Sequence, residues 1–328
     1  MNAPAVDPAV ARIVEAGGPQ IPSLLGAVEE RLTAVARSHG PVLAEHAGAT
    51  IAAGGKRLRP LLVLLAAGPG AEADHAVRAA AAVELVHSAT LVHDDVLDAA
   101  SLRRGRPTVW ATAGREMATA TGDLLFSRAF AELAENGSAD QVRVLSWASS
   151  ALAHGELVQR EDAWRTDVTL ERYLFRCELK TARLFEAACR LGALVEGAGA
   201  GEAELAALGT FGHHVGLAFQ LLDDILDVSG PAEKTGKHRG TDLLDGTVTL
   251  PFILARERDP ELASVDGRSI DTPERAEAIC DAIAATGALG AARERALAIV
   301  AEAKAGLPDL PQRRALELVA DGVVERYS

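Results

Sequence analysis

A chain of 328 residues that is 48% hydrophobic but only 4% aromatic has the apolar mass for a large core, drawn mostly from Ala, Leu and Val, which suits closely packed helices. Its formal net charge of −13 excludes a general affinity for nucleic acid, so any phosphate ligand must be held by a local cluster of cations. Cys177, Cys189 and Cys280 are odd in number and lack metal-ligand spacing, the pattern of free thiols in a reducing cytosol. The opening residues carry no secretory pattern, and the longest apolar run, Leu61 to Ala67, is too short for a bilayer, so a cytoplasmic protein without a membrane span is expected.

Residues 1–20 are rich in Pro, Gly and Ala and read as a flexible lead-in. From Ser23 onward apolar residues recur at helical spacing, broken by short clusters of Gly, Pro and Asp. The pattern predicts helices near 23–37, 41–53, 57–67, 74–99, 107–134, 139–163, 169–193, 202–228, 248–257, 273–285, 289–304 and 311–326. That is an all-α bundle, read as a single domain over 21–328. Three linkers, 100–106, 229–247 and 258–272, interrupt it, and the first two follow clusters of aspartate.

The segment His93-Asp94-Asp95-Val96-Leu97-Asp98 puts carboxylates at i, i+1 and i+4 near the end of an apolar helix. At about 100° per residue Asp94 and Asp98 share one face. Such carboxylates repel one another and oppose the helix dipole unless solvent or a cation relieves them. A hard cation such as Mg2+, which takes oxygen ligands and shares phosphate oxygens, is the natural remedy. Asp223, Asp224 and Asp227 repeat the same spacing late in a second apolar helix, after Gln220. If the two helices face each other, six carboxylates surround a cavity able to hold several Mg2+ ions and a diphosphate.

Basic residues match this. Gly54-Gly55-Lys56-Arg57-Leu58-Arg59-Pro60 joins two helices with three cations and unpaired backbone N–H groups, which is an anion site. Arg103 and Arg104 follow the first acidic cluster, and Lys180, Thr181, Lys234, Lys237 and Arg239 flank the second. His87 lies two helical turns before Asp94.

The motifs GGKRLRP, HDDVLDAASLRRGRPT, GELVQREDAW, ELKTA and FQLLDDILD…GKHRGTDLLDGTVTLP, in order from about residue 40 to 255, resemble the trans-polyprenyl diphosphate synthases. The resemblance implies an isoprenoid-synthase helical bundle around a central apolar cavity, usually a homodimer. It implies a Mg2+-dependent prenyltransferase that joins isopentenyl diphosphate to an allylic diphosphate, making a linear all-trans product that can partition into membrane. Carried over by position, Asp94, Asp98 and Asp223 resemble the metal ligands, with Asp95, Asp224 and Asp227 supporting them. Lys56, Arg59, His87 and Arg104, with Arg57 in the same basic motif, match the isopentenyl diphosphate site. Arg103, Lys180, Thr181, Gln220 and Lys237 match the contacts to the allylic substrate. Thr247 stands where members frequently have Lys, a departure that leaves both aspartate motifs intact.

In the family a bulky aromatic five residues before the first motif shortens the product. Here that position is Ala89, which implies a heptaprenyl to decaprenyl product; geranylgeranyl is the alternative if Met117, Phe126 or Phe130 closes the cavity lower down. A class I terpene cyclase would share the first aspartate motif but has no need of GGKRLRP. A regulatory subunit of a heteromeric synthase would be expected to have eroded aspartate motifs.

Overall fold

The computed structural model describes residues 7–38, 40–52, 54–103, 105–230 and 239–325. In chain order these form α1 (Pro8–Gly17), α2 (Ile21–Arg37), α3 (Pro41–Ala52), α4 (Leu58–Ala67), α5 (Ala73–Leu97), strands β1 (Leu102–Arg103) and β2 (Arg106–Pro107), α6 (Val109–Ala134), α7 (Ala139–Asp162) and α8 (Leu170–Cys177). After the π turn Glu178–Ala182 come α9 (Arg183–Ala193), α10 (Glu202–Ser229), α11 (Thr241–Leu244), α12 (Leu250–Arg258), α13 (Pro260–Ala263), a 3-10 turn (Gly267–Ser269), α14 (Pro273–Ala285), α15 (Ala288–Ala305) and α16 (Arg313–Glu325). The protein is all-α: one antiparallel hairpin, Leu102 opposite Pro107 and Arg103 opposite Arg106, is its whole sheet among the described residues.

The described residues fall into two compact units. One is drawn from Met1–Ser149, Leu184–Gly212 and Gly306–Gly322, the other from Ser150–Arg183, His213–Ala305 and Val323–Ser328. In the first unit α5 packs chiefly on α6 and also on α2 and α4. Its run Ala79 to Ala82 is buried, as small side chains allow close helix approach. A charged clasp holds the same helices. Glu132 of α6, buried, meets Arg31 of α2 at 3.2 Å, Arg78 of α5 at 3.4 Å and Arg128 at 3.3 Å. Asp74 adds 2.6 Å contacts to Arg31 and Arg78. In the second unit α12 packs on α15, α13 and α14.

Helix starts follow ordinary capping chemistry. The Thr108 hydroxyl accepts from Ala111 N–H at the head of α6, and those of Thr169 and Thr272 do the same for α8 and α14.

Several features differ from the sequence reading, among them the short helix α11 within linker 229–247 and α13 with the 3-10 turn within linker 258–272. Residues 8–17 of the expected lead-in are helical, because Asp7 caps Ala9 N–H at 2.9 Å and Pro8 fits the first turn. Linker 100–106 holds the hairpin rather than a plain loop. Helix α6 is kinked at Gly114, whose φ of 83° leaves the helical region. The predicted helix 169–193 is interrupted by the π turn.

The three cysteines are buried and free. Among the described helices α10 alone is long and apolar enough to cross a membrane by length and composition, a property it shares with core helices; 56% of that stretch is buried within the protein.

Candidate active site

The first aspartate cluster closes α5. Asp98 is the C-cap, its N–H donating to the Asp94 carbonyl at 2.8 Å. The helical offset read from the sequence is realised: Asp95 turns inward and is 5% exposed, Asp94 is half-buried and Asp98 exposed. Ala99 then takes a left-handed φ of 49°, and Thr108 donates to the Ala100 carbonyl at 2.6 Å, so the chain reverses into the hairpin. That reversal brings Arg103 back to Asp95, Nε to Oδ1 at 2.7 Å. Arg103 thus neutralises the inward carboxylate. Arg104 and Lys237, both expected as substrate contacts, lie outside the described residues, as does Lys234.

In the same unit the GGKRLRP loop separates its three cations. Lys56, exposed, pairs with Asp7 at 2.6 Å. Arg59 lies with its guanidinium 4.4 Å from the Phe185 ring centroid. Arg57 turns the other way. Its Nε and Nη2 donate to Glu29, its Nη1 to Glu84 at 2.5 Å and its Nη2 also to the Ile51 carbonyl. Glu84, 5% exposed on α5, needs a cation to be tolerated inside. The geometry therefore gives Arg57 an architectural job, where the sequence grouped it with the substrate contacts. His87 is half-buried on α5.

The second cluster, in the other unit, is held by a line of hydrogen bonds. Asp223 is exposed and Asp224 is 4% exposed. Asp224 accepts from Tyr173 Oη at 2.6 Å and from Gln220 Nε2 at 2.7 Å, and Gln220 Oε1 accepts from the Thr181 hydroxyl at 2.6 Å. Burial, followed by the charge of Asp242, pushes the Asp224 carboxyl up to about 7. Asp227 accepts from Asp242 N–H at 3.2 Å. Lys180 pairs with Glu156 of α7 at 2.6 Å. Burial alone would raise the Glu156 carboxyl, but Lys180 and then Arg160 hold it below the ordinary range.

The loop bearing Thr247 is fastened by Trp164, in the turn after α7, and by Arg176 of α8. Trp164 N–H donates to the Gly246 carbonyl at 2.8 Å, and a Cβ on Gly246 would fall 2.4 Å from the Trp164 indole. Arg176 Nη2 donates to the Val248 carbonyl at 2.6 Å.

Sequence reasoning singled out neither Tyr173, Arg176, Glu156 nor Trp164. Glu156 and Trp164 stand inside the GELVQREDAW motif, the signal that could have marked them.

No set of three or more His, Cys, Asp or Glu among the described residues is gathered to hold a metal alone. The donor set nevertheless fits Mg2+, which is commonly bound by one or two carboxylates and completes its shell with water and substrate phosphate. Asp94 and Asp98 offer such a pair, and Asp223 offers an exposed oxygen donor.

The fold is thus all-α, with two apolar helices ending in aspartate clusters and a basic loop ahead of the first. Residues 41–285 match the polyprenyl synthetase family, and the chain belongs to it. It is 45% identical over 269 residues to heptaprenyl diphosphate synthase component 2 of Geobacillus stearothermophilus, covering 81% of this chain and 83% of that one. It is 37% identical over 284 residues to octaprenyl diphosphate synthase of Escherichia coli K12, covering 84% and 87%. The crystal structure of a polyprenyl synthase from Caulobacter crescentus CB15, complexed with calcium and isoprenyl diphosphate, superposes with a TM-score of 0.87 at 36% identity over the full length of both chains.

Proposed function

We propose that the chain is a Mg2+-dependent polyprenyl diphosphate synthase that condenses isopentenyl diphosphate head-to-tail (1'-4) with an allylic diphosphate, building a linear all-trans product of the heptaprenyl to decaprenyl class. The observation that carries this reading is the split within each aspartate motif: one carboxylate is buried on fixed partners, Asp95 or Asp224, while another, Asp98 or Asp223, is exposed. The calcium and isoprenyl diphosphate in the Caulobacter crescentus relative support it.

In this reading Lys180, Thr181, Gln220, Arg103 and Lys237 hold the allylic diphosphate, and Lys56, Arg59, His87 and Arg104 hold isopentenyl diphosphate. Asp94, Asp98 and Asp223 would hold Mg2+, which when bound supplies positive charge to the departing diphosphate. The allylic C–O bond breaks with its electron pair leaving on the diphosphate. Arg103 and Lys180 stabilise the negative charge that develops there. The double bond of isopentenyl diphosphate attacks the allylic C1, and the proton lost afterwards goes to the released diphosphate. Asp95, Asp224 and Asp227 keep the loops in register. The enzyme acts in the cytoplasm.

We further propose that it works as a homodimer. Trp147, Ser150, His154 and Leu157 form an exposed stripe at i, i+3, i+7 and i+10 along α7, with Trp147 67% and Leu157 64% exposed. That spacing suits helix-to-helix packing against a second copy. A second reading, dependence on a different partner chain, is favoured by one fact: the Geobacillus relative is named as a component.

The deciding experiment incubates the purified chain with Mg2+, labelled isopentenyl diphosphate and a panel of allylic primers, followed by chromatography of the dephosphorylated products. Linear prenyl alcohols formed by the chain alone support the proposal. Cyclic hydrocarbon formed without isopentenyl diphosphate would identify a cyclase instead, and turnover only after a partner is added would favour the second reading.

A further inference from the structure

Helix α8 does not run directly into α9. The Glu178–Ala182 segment between them is a π turn, a wider turn that admits one extra residue and re-aims the side chains it carries. Lys180 and Thr181 sit in that turn. Helix α7 presses against it at Gly155, where a Cβ would lie 2.8 Å from the Lys180 backbone nitrogen and 3.0 Å from the Leu179 Cβ. Only a hydrogen fits there. The next residue, Glu156, sets Oε2 at 2.6 Å from Lys180 Nζ, while its Oε1 is held by Arg160 at 2.8 Å. The Glu156 side chain is thus pinned at one oxygen and grips the lysine with the other.

We infer that Glu156 is a positioning residue for Lys180, fixing the direction of its ammonium toward the allylic diphosphate from a turn whose depth is set by Gly155. An ammonium has three N–H donors, so Glu156 leaves two for phosphate oxygens. A free lysine would have to give up its rotamer freedom when substrate binds, whereas this one is ordered beforehand. Arg160 offsets the Glu156 charge, which would otherwise repel an approaching anion. The inference rests on the reading of Lys180 as an allylic diphosphate contact, and on nothing in the aspartate motifs.

The test compares Glu156→Ala, Glu156→Gln, Lys180→Ala and the double variant Glu156→Ala/Lys180→Ala. KM is measured separately for each diphosphate, and calorimetry follows the binding of an allylic thiolodiphosphate that resists ionisation. Glu156→Ala is expected to weaken allylic KM and analogue binding about tenfold, the worth of one charge-assisted hydrogen bond, with KM for isopentenyl diphosphate unchanged. Glu156→Gln, which keeps an oxygen acceptor, should recover part of the loss. In the Lys180→Ala background the Glu156 change should add nothing. Additive losses, equal losses for both substrates, or an unchanged allylic KM in Glu156→Ala beside a raised one in Lys180→Ala would overturn the inference. An unchanged allylic KM in Lys180→Ala would instead defeat the underlying reading of that lysine.

Discussion

The phenol of Tyr173 donates a 2.6 Å hydrogen bond to the carboxyl of Asp224, both side chains lying inside the protein. Asp224 stands between the exposed Asp223 and the half-buried Asp227, so its fixed partners hold the end of α10 in one rotation. Tyr173→Phe keeps the ring and removes the donor. The variant is expected to lose about 1–3 kcal/mol of stability, since a buried acceptor is left underpaired. Its Mg2+ requirement for half-maximal rate should rise, because Asp223 is held less firmly. Urea unfolding and a Mg2+ titration of the rate check the two parts. A Mg2+ requirement equal to wild type would assign the bond to stability alone.

Arg57 is the counter-ion of buried Glu84, with Glu29 and the Ile51 carbonyl as further acceptors. Breaking a buried pair from one side strands a charge, so Arg57→Ala is expected to lose about 3–5 kcal/mol in urea unfolding. Arg57→Lys should recover only part, because one ammonium cannot reproduce a planar fork that reaches three groups. Glu84→Gln in the Arg57→Ala background should restore much of the stability, which a substrate-binding role for Arg57 would not produce.

The residue order made α5 and α10 legible, since their apolar spacing and aspartate endings are local properties. Asp95 could also be separated from Asp94 and Asp98 by its helical offset, and its burial against Arg103 fits that separation. Helix α1 had a start signal, Asp7 before Pro8, that the neighbouring Pro and Gly obscured. The ion pair of Arg57 was not legible, because its partner Glu84 is 27 positions away and only tertiary packing joins them. The π turn was hidden for another reason. One extra residue scarcely alters apolar periodicity, and Gly155, which packs against the turn, lies on a different helix.

Acid sensitivity follows from the clasp at the start of α5. Arg78 holds the Asp74 carboxyl below its ordinary value of 3.8 through a side-chain hydrogen bond; burial opposes this, and the charges of Arg78 and Arg31 add to it. A carboxyl depressed in the folded state stabilises it above the unfolded value, and that contribution disappears as pH falls through the folded value. Asp74→Asn should therefore be less stable than wild type at pH 6, with the two converging below pH 4. Urea midpoints across this range measure it, and a constant gap at all pH values would contradict the assignment.

Chain length is tested at Ala89, fully buried on α5 and five residues before Asp94. Ala89→Phe places a ring where the resemblance puts the wall of the elongation cavity, and a shorter product is expected. Overpacking of this kind typically lowers stability by about 1–3 kcal/mol, so thermal unfolding should accompany product chromatography. A folded variant with an unchanged product spectrum would remove Ala89 from the cavity wall and leave Met117, Phe126 and Phe130 as the candidates to close it.

The exposed stripe on α7 provides the test of self-association. Trp147 and Leu157 are among the most exposed large apolar side chains described, with small or polar residues between them, so a second helix could approach closely. Trp147→Glu adds a charge whose burial in an interface is unfavourable while its exposure on a monomer is not. Light scattering should show dimers for the wild type and monomers for the variant at the same concentration. Circular dichroism should remain unchanged, since the side chain packs against little of its own chain. Were the wild type monomeric, the homodimer would fall, and a stripe still in need of cover would turn the search toward a different partner chain.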